Sequence, residues 1–198
     1  MPPSSIQSNA QREGLKWVKI KRFLTLPFSP KSLKTYKAVK RFEDVPIDVL
    51  VADGIKGVLL DADGTLGPHH AQTFSESVRN HVGSMIARGL RVAIYTNAME
   101  DRFDGFESVG IVTDVPPKPD PRGFKIAMAN YLQLDDPATV CVVGDNYITD
   151  GGAIDTGMRF IHVQPVPGPE NPFHRITRFI AYLLARLYFP RSFRPSQQ

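Results

Sequence analysis

Residues 55–66 read IKGVLLDADGTL, and this stretch decides the fold. The apolar run from Ile55 to Leu60 is short and rich in branched side chains, which is typical of a strand buried on both faces of a parallel sheet. Two aspartates and a glycine follow at once, so the chain turns where the strand ends. Ligands of open parallel sheets bind beyond the carboxyl ends of the strands. The stretch therefore predicts a buried strand that leads into a ligand site.

Strands and helices alternate along the rest of the chain. Residues 75–88 have apolar positions at helical spacing and stop before Gly89, which predicts a helix. Pro121 opens another helix, to about Gln133, because proline costs nothing in a first turn. Short apolar runs predict four further strands, at 90–95, 110–113, 140–143 and 159–163, and we expect short helices after Asn97 and at 150–156. This alternation predicts an α/β fold, a Rossmann-like parallel sheet with helices on both faces.

Charge is distributed unevenly along the chain. Of 198 residues, 42% are apolar and 22% charged, which fits one domain with its own core. Residues 1–44 hold ten Lys and Arg against three acids, residues 164–198 five against one, and residues 45–163 nine against sixteen. We divide the chain into a basic, partly disordered N-terminal segment (1–44), an α/β domain (45–168) and a basic amphipathic C-terminal helix and tail (169–198). Basic ends favour an anionic partner, although solvated tails explain them equally well.

Several classes of protein are excluded by composition. The single cysteine, Cys141, excludes a disulfide framework and a cysteine-rich zinc site. Its place inside a predicted buried strand indicates a small core residue. No apolar run approaches the roughly 20 residues of a membrane-spanning helix. No phosphate-binding glycine loop or nucleic-acid-binding motif is present, so neither a nucleotide cofactor nor a nucleic-acid partner is expected. Without a recognisable signal peptide we expect a cytoplasmic protein, with a mitochondrial location as the alternative in a eukaryote.

Polar side chains follow the predicted strands and can form one reactive site. Asp61 and Asp145, with a backbone carbonyl, can hold Mg²⁺, which prefers oxygen ligands and bridges to phosphate. With this charge shielded, Asp61 can attack phosphorus, and Asp63 can protonate the leaving alcohol and then deprotonate water. Thr96 and Lys118, the latter in a proline-bracketed loop, can hydrogen-bond the phosphoryl oxygens.

Three further residues leave alternatives open. Asn97 follows the second predicted strand and can orient Asp61, bind a phosphate or form a turn. His69 and His70 can contact a substrate at the mouth of the site, or they can be exposed loop residues. A zinc site is not expected there, because no third ligand lies nearby in the sequence.

The order of these residues resembles the four motifs of the haloacid dehalogenase-like superfamily. The motifs are Asp61-x-Asp63-Gly-Thr, Thr96 after the second strand, Lys118 before a helix, and Gly-Asp145-x-x-x-x-Asp150, over roughly residues 54–165. The resemblance implies Asp61 as nucleophile, Asp63 as acid and base, and Thr96 and Lys118 as phosphate ligands. It implies metal binding by Asp61, Asp145 and the Asp63 carbonyl. Asp150 would orient metal-bound waters or Lys118. Asp63 argues against a dehalogenase, since that reaction has no alkoxide leaving group to protonate.

Within that superfamily the layout looks like the class IIIA, YqeG-like group, which includes phosphatidylglycerophosphate phosphatases. The resemblance spans roughly residues 33–182. The similar segments are YKAVK at 36–40, IKGVLLDADGTL at 55–66, KPDP at 118–121, GDNYITD at 144–150 and VQPV at 163–166. Many members have Asn where this chain has Gly64, which leaves the subgroup open. The resemblance implies a Mg²⁺-dependent phosphatase acting on a phospholipid head group.

The spacing of the motifs leaves no room for a lid domain. About 32 residues separate Asp63 from Thr96, and 21 lie between Thr96 and Lys118. An uncapped site cannot close over a small substrate, but it can accept a phosphate presented by something large. Basic amphipathic segments at both ends, such as residues 173–189, favour peripheral contact with an anionic membrane. The alternative is that the C-terminal helix packs on the sheet as ordinary core.

Two other functions fit the same residues. One is a capless phosphatase for a phosphoprotein, a sugar or a nucleic-acid terminus. The other is a phosphoaspartate signalling module similar to a response-regulator receiver, which also gathers Asp, Thr, Lys and Mg²⁺ at a parallel sheet. Rapid multiple turnover of a phosphomonoester distinguishes an enzyme from such a module.

Overall fold

Six strands form one parallel sheet in the computed structural model, which describes residues 17–97 and 102–194. The strands are β1 (Lys37–Val39), β2 (Gly57–Leu60), β3 (Arg91–Tyr95), β4 (Gly110–Val112), β5 (Val140–Gly144) and β6 (Arg159–Val163). Their order across the sheet is β1-β6-β5-β2-β3-β4, and every neighbouring pair is parallel. The α/β prediction is therefore confirmed, and β2 lies inside the sheet between β5 and β3.

Five α-helices connect and flank the strands in the described part of the chain. They are α1 (Trp17–Thr25), α2 (Ile47–Ala52), α3 (Glu76–Ala87), α4 (Pro121–Ile126) and α5 (Pro172–Tyr188). The Ser75 hydroxyl accepts a hydrogen bond from the Val78 N–H and caps α3. Asp120 caps α4 in the same way, and a π-helical turn, Ala127–Tyr131, continues that helix. A 3₁₀ segment, Asp150–Thr156, follows β5.

The strands alternate their side chains between two apolar layers, one on each face of the sheet. In β2, Val58 and Leu60 pack with α3 on one face, whereas Leu59 packs on the other with α4 and with Ala181 of α5. All four residues of β2 are buried, so the central strands contribute to both layers. This double burial explains the continuous apolar runs of the sequence.

The structure also contains an element that the sequence did not predict. β1 pairs with β6 and adds an edge strand before the first predicted one. It has only three half-buried residues, including a lysine, so it lacks the apolar run that marked the others. The helix expected after Asn97 falls partly on residues 98–101, outside the described residues, and residues 102–109 form turns.

The described parts of both terminal segments pack against the sheet. Leu26 and Leu33 are buried in the same apolar layer as α4, and Ala181 and Ala185 bring α5 to that layer. The division of the chain at residues 44 and 168 stays a prediction. Among the described helices, none is both long and apolar enough to cross a membrane.

Candidate active site

Asp61 lies at the carboxyl end of β2, where the sheet reverses its strand order. Its N–H donates to the Val143 carbonyl at 2.9 Å, so the pairing with β5 continues to the aspartate itself. From β2 the chain continues to β3 and β4 on one side of the sheet, whereas β5 and β6, which come later in the sequence, lie on the other side. Such a point opens a crevice at the strand ends, which is where ligands bind in this type of sheet.

Two glycines allow the carboxylates to come together. Gly64 has a φ of +80°, and a Cβ there would lie 2.6 Å from Oδ2 of Asp145. At Gly144, a Cβ would lie 2.4 Å from Oδ2 of Asp150. Both positions therefore require the absence of a side chain, which is why glycine stands at these turns.

Lys118 lies between two of the aspartates. Its Nζ donates to Oδ1 of Asp61 and, at 2.6 Å, to Oδ1 of Asp150. All three side chains are buried. The second oxygen of Asp150 accepts from the Asn146 N–H at 3.1 Å, which fixes the orientation of that carboxylate. Of the two roles that the resemblance implies for Asp150, orienting metal-bound waters or Lys118, the structure contains the contact with Lys118.

Burial and mutual repulsion shift the titration of these groups. Burial raises the pKa of Asp61 to about 7, and the charge of Asp150 adds to the rise against the opposing effect of Lys118. Burial likewise raises the pKa of Asp145 well above its usual range, in spite of Arg178 nearby. For Lys118 burial alone would lower the pKa, but Asp150 and Asp61 raise it above the usual range. The site is thus a buried cluster in which negative charge is in excess.

The donor set fits a divalent cation. Carboxylate oxygens of Asp61, Asp145 and Asp150 all lie within 4.8 Å of one another. Mg²⁺ prefers oxygen ligands. A cation would also favour the ionised form of Asp61, against the effect of burial. These residues could therefore hold the metal that the sequence predicts.

Asp63 lines the same cavity, but its side-chain contacts lie outside this cluster. Its Oδ1 accepts from the His70 N–H at 2.8 Å, and its Oδ2 accepts from the buried Arg102 guanidinium at 2.7 Å. Arg102 also donates to the Ala71 carbonyl at 3.1 Å, so it joins Asp63 to the loop after the first motif. Nothing local in the sequence indicated Arg102, because its contact depends on a loop that returns to the strand end.

Asn97 fastens the loop that carries Lys118. Its Oδ1 accepts from the Lys118 N–H at 2.9 Å, and its Nδ2 donates to the Lys118 carbonyl at 3.2 Å. This paired contact fixes the lysine backbone beside β3. Thr96 is buried next to it and lines the same cavity. Both residues predicted after β3 thus reach the site, and Asn97 acts on Lys118 rather than on Asp61.

Arg178 reaches the site from α5, and its role was missed at the sequence level. Its Nη1 donates to Oδ2 of Asp145 at 2.6 Å, and its Nη2 donates to Glu170 at 2.7 Å. The available signal was its spacing, since Arg178 shares a helix face with Ala181 and Ala185, two small residues typical of close packing. The C-terminal helix is therefore attached to the metal-ligand candidate Asp145.

A cavity of about 540 Å³ joins these residues. Its floor contains all the predicted site residues except Asp150, namely Asp61, Asp63, Thr96, Asn97, Lys118 and Asp145. His69 and His70 also line it, and His69 Nε2 lies 3.7 Å from Oε1 of Glu170. Its outer wall is formed by Lys19 of α1 and by residues 169–171, His174 and Arg178 around the start of α5. The site is thus built from the sheet edge and both terminal helices.

Comparisons with known proteins give distant similarities to solved structures. No protein-family model and no curated protein matches the sequence. The chain is similar to an uncharacterized protein from Listeria monocytogenes serotype 4b, with 17% identity, a TM-score of 0.46 and coverage of 67% of this chain and 99% of that one. It is also similar to the core domain of a protein provisionally named a phosphoglycolate phosphatase from Streptococcus pneumoniae TIGR4, with 16% identity, a TM-score of 0.41 and coverage of 64% and 95%.

Proposed function

We propose that the chain is a Mg²⁺-dependent phosphomonoester hydrolase of the haloacid dehalogenase-like type. The observation that carries the proposal is the convergence of Asp61, Lys118 and Asp145 in one cavity at the carboxyl edge of the sheet. These three residues come from three separated sequence motifs, in the order that the superfamily uses, and Thr96 of the remaining motif lines the same cavity. Bound Mg²⁺, held by Asp61, Asp145 and the carbonyl of Asp63, would shield the charge between the nucleophile and the substrate dianion.

The reaction proceeds in two displacements at phosphorus. An oxygen of Asp61 attacks the phosphorus atom, the bond to the alcohol oxygen breaks, and an aspartyl-phosphate forms. Asp63 gives its proton to the departing oxygen. It then takes a proton from water, which attacks the aspartyl-phosphate, releases inorganic phosphate and restores Asp61. Thr96 and Lys118 hydrogen-bond the phosphoryl oxygens throughout.

The substrate is a phosphomonoester on a phospholipid head group, and phosphatidylglycerophosphate is the candidate that the resemblance indicates. One support is the lack of a lid in the described residues, since residues 64–90 contain α3 as their one helix or strand and residues 102–117 contain only β4 and turns. The second support is an apolar helix surface beside the cavity. It consists of the exposed side chains Trp17, Val18 and Leu24 of α1, Phe28 in the turn after α1, and Phe173, Ile176, Phe179, Ile180, Leu183 and Leu187 of α5.

The charges around the apolar helix surface fit an anionic bilayer. Residues 17–42 and 171–198 contain no Asp or Glu. Lys21, Arg175 and Arg186 are exposed on the two helices that carry the surface. Apolar and aromatic side chains rimmed by basic groups bind at the headgroup boundary of anionic membranes. A peripheral position on such a membrane is therefore part of the proposal.

Substitution of the nucleophile tests the activity. Asp61→Asn should abolish release of phosphate from phosphatidylglycerophosphate vesicles and from an aryl phosphate, because an amide does not attack phosphorus comparably. Asp135→Asn is a matched control, since Asp135 is exposed and precedes β5 at the opposite edge of the sheet. Turnover by the wild type should require Mg²⁺ and stop with a chelator. A stable phosphoprotein without turnover would instead indicate a signalling module.

A substrate panel tests the finer assignment. Phosphatidylglycerophosphate vesicles, a phosphopeptide, a sugar phosphate and an oligonucleotide with a terminal phosphate should be compared at equal phosphate concentration. The vesicles should give the highest kcat/KM. A preference for one of the other three would support the alternative phosphatases and contradict the lipid substrate.

A further inference from the structure

The cavity is wider than one phosphoryl group needs, and its outer part is basic. Its volume of about 540 Å³ is within the range of sites for whole small-molecule ligands, roughly 300–1,000 Å³. The phosphoryl-binding candidates Thr96 and Lys118 lie on its inner wall. Lys19 and His174 lie on the opposite wall, on the two helices that border the mouth. The catalytic steps described above use neither of them.

Lys19 is an unusual residue of α1. It is 9% exposed, whereas Lys21 of the same helix is exposed to solvent. Burial, together with the charge of Lys19, lowers the pKa of His174, which places the two groups in one electrostatic environment.

A small apolar groove adjoins the cavity at these two residues. It has a volume of about 70 Å³ and lies between α1 and α5, where Ile20 and Phe23 face Phe173. Lys19 and His174 line both the groove and the cavity. They therefore mark the boundary between a polar space, which ends at Asp61, and an apolar space, which leads toward the apolar helix surface.

We propose that Lys19 and His174 form a second anion subsite that binds the internal phosphodiester of an amphiphilic substrate whose terminal phosphomonoester lies at Asp61. This inference rests on the proposed function and deepens it. A phospholipid with a terminal phosphate carries its phosphodiester between the polar end and the acyl chains. Lys19 and His174 lie at the corresponding position, between the polar cavity and the apolar groove. Lys19 donates to the phosphodiester oxygens, and His174 supplies a second donor.

Soluble compounds measure binding at this subsite without any contribution from membrane binding. Glycerophosphoglycerophosphate has both phosphates and no acyl chain, whereas glycerol 3-phosphate has the monoester alone. Calorimetric binding to the full chain with Asp61→Asn and Mg²⁺ gives a Kd for each compound without turnover. Adding Lys19→Met should weaken binding of the two-phosphate compound about tenfold, as expected for one lost charged hydrogen bond. The ratio of the two Kd values should change by a similar factor.

Matched variants distinguish recognition from a structural role. Lys21→Met removes an exposed lysine of the same helix and should leave both Kd values unchanged. Lys19→Arg should restore most of the lost affinity. His174→Gln is a second variant in case Lys19→Met lowers the melting temperature, and it should also change the ratio.

Two outcomes would overturn the subsite. One is an equal loss of affinity for both compounds in Lys19→Met, and the other is an unchanged ratio in both Lys19→Met and His174→Gln. Neither depends on turnover. Failure of the proposed function is a separate result: the wild type would release no phosphate from either compound, whatever the binding ratio.

Discussion

The sheet edge buries charged side chains, whereas the apolar helix surface exposes apolar ones. At the sheet edge, Asp61, Lys118 and Asp150 are charged and 8%, 3% and 0% exposed. On the helices, Trp17 and Leu187 are apolar and 82% and 72% exposed. Burying charges costs several kcal/mol per ion unless they are paired, and exposing apolar side chains forgoes about 25 cal/mol per Å². Neither region is arranged for stability alone, so each indicates a function.

The two regions are also connected. Arg178 lies on α5, the helix that carries most of the apolar helix surface, and it donates to Asp145 in the buried cluster. Lys19 similarly belongs to the exposed helix α1 and faces the cavity. The surface and the chemistry are therefore parts of one site, and substitutions in each should have different effects on activity and on stability.

The largest effect is expected in the buried cluster. Lys118→Met leaves Asp61 and Asp150 without their shared cation, so phosphatase activity should fall at least about 10³-fold. The free energy of unfolding should fall by about 3–5 kcal/mol, because a broken buried pair leaves uncompensated charge. Activity assays and urea unfolding measure the two losses. Lys125→Met, an exposed lysine of α4, is the control and should change neither. Full activity of Lys118→Met would remove this residue from the site.

The apolar helix surface should show the reverse pattern. The double variant Phe179→Glu and Leu183→Glu should have an affinity for anionic vesicles at least about tenfold lower. Each apolar side chain that is buried in a membrane contributes about 1.5–3 kcal/mol to the free energy of binding. The free energy of unfolding should change by about 0.5 kcal/mol or less, because both positions are exposed. Vesicle sedimentation and urea unfolding test this.

A control for the vesicle experiment lies on the other side of the sheet. Val49→Glu alters an exposed apolar residue of α2, outside the apolar helix surface, and should leave vesicle affinity unchanged. Equal affinity of the wild type and the double variant would contradict the membrane contact.

A smaller effect is expected at His162, between the two regions. Burial lowers the pKa of this residue to about 3, whereas an unfolded histidine titrates near 6.5. The unfolded state therefore takes up the proton first, and stability should fall as pH decreases from about 6.5 toward 3, by up to about 1.4 kcal/mol per unit.

His162→Phe should remove this contribution and keep the ring that stacks on Tyr147 at 5.2 Å. Urea unfolding from pH 6.5 to 4.5, with a chelator present, should give a shallower pH dependence for the variant. Identical slopes for the two proteins would show that His162 does not remain neutral in the folded state.

The sequence predicted the elements whose signal is local. Five strands were predicted to within two residues at each end, because burial on both faces produces continuous apolar runs that are recognisable in the sequence. The site residues that follow strands were also predicted, since parallel strands bring their carboxyl ends to one edge. Asp61, Thr96 and Asp145 line one cavity for this reason.

The missed features depend on contacts between distant parts of the chain. Strand β1 is short and half-buried, so pairing with β6 rather than its own pattern defines it. The positions of Arg102, Lys19 and Arg178 at the site were not predicted, because they depend on how a loop and the two terminal helices pack against the strand ends. An arginine in an amphipathic helix is ordinarily solvated, and only its spacing to Ala181 and Ala185 distinguishes Arg178 from Arg175 in the sequence.

The ion pair between Arg178 and Asp145 has a consequence for synthesis of the protein. Because α5 follows β6 in the chain, translation supplies every strand of the sheet before it supplies the arginine that pairs with Asp145. Until α5 packs against the sheet, Asp145 lacks this ion pair. Packing of α5 therefore completes the candidate active site and links the folding of this helix to the environment of Asp145.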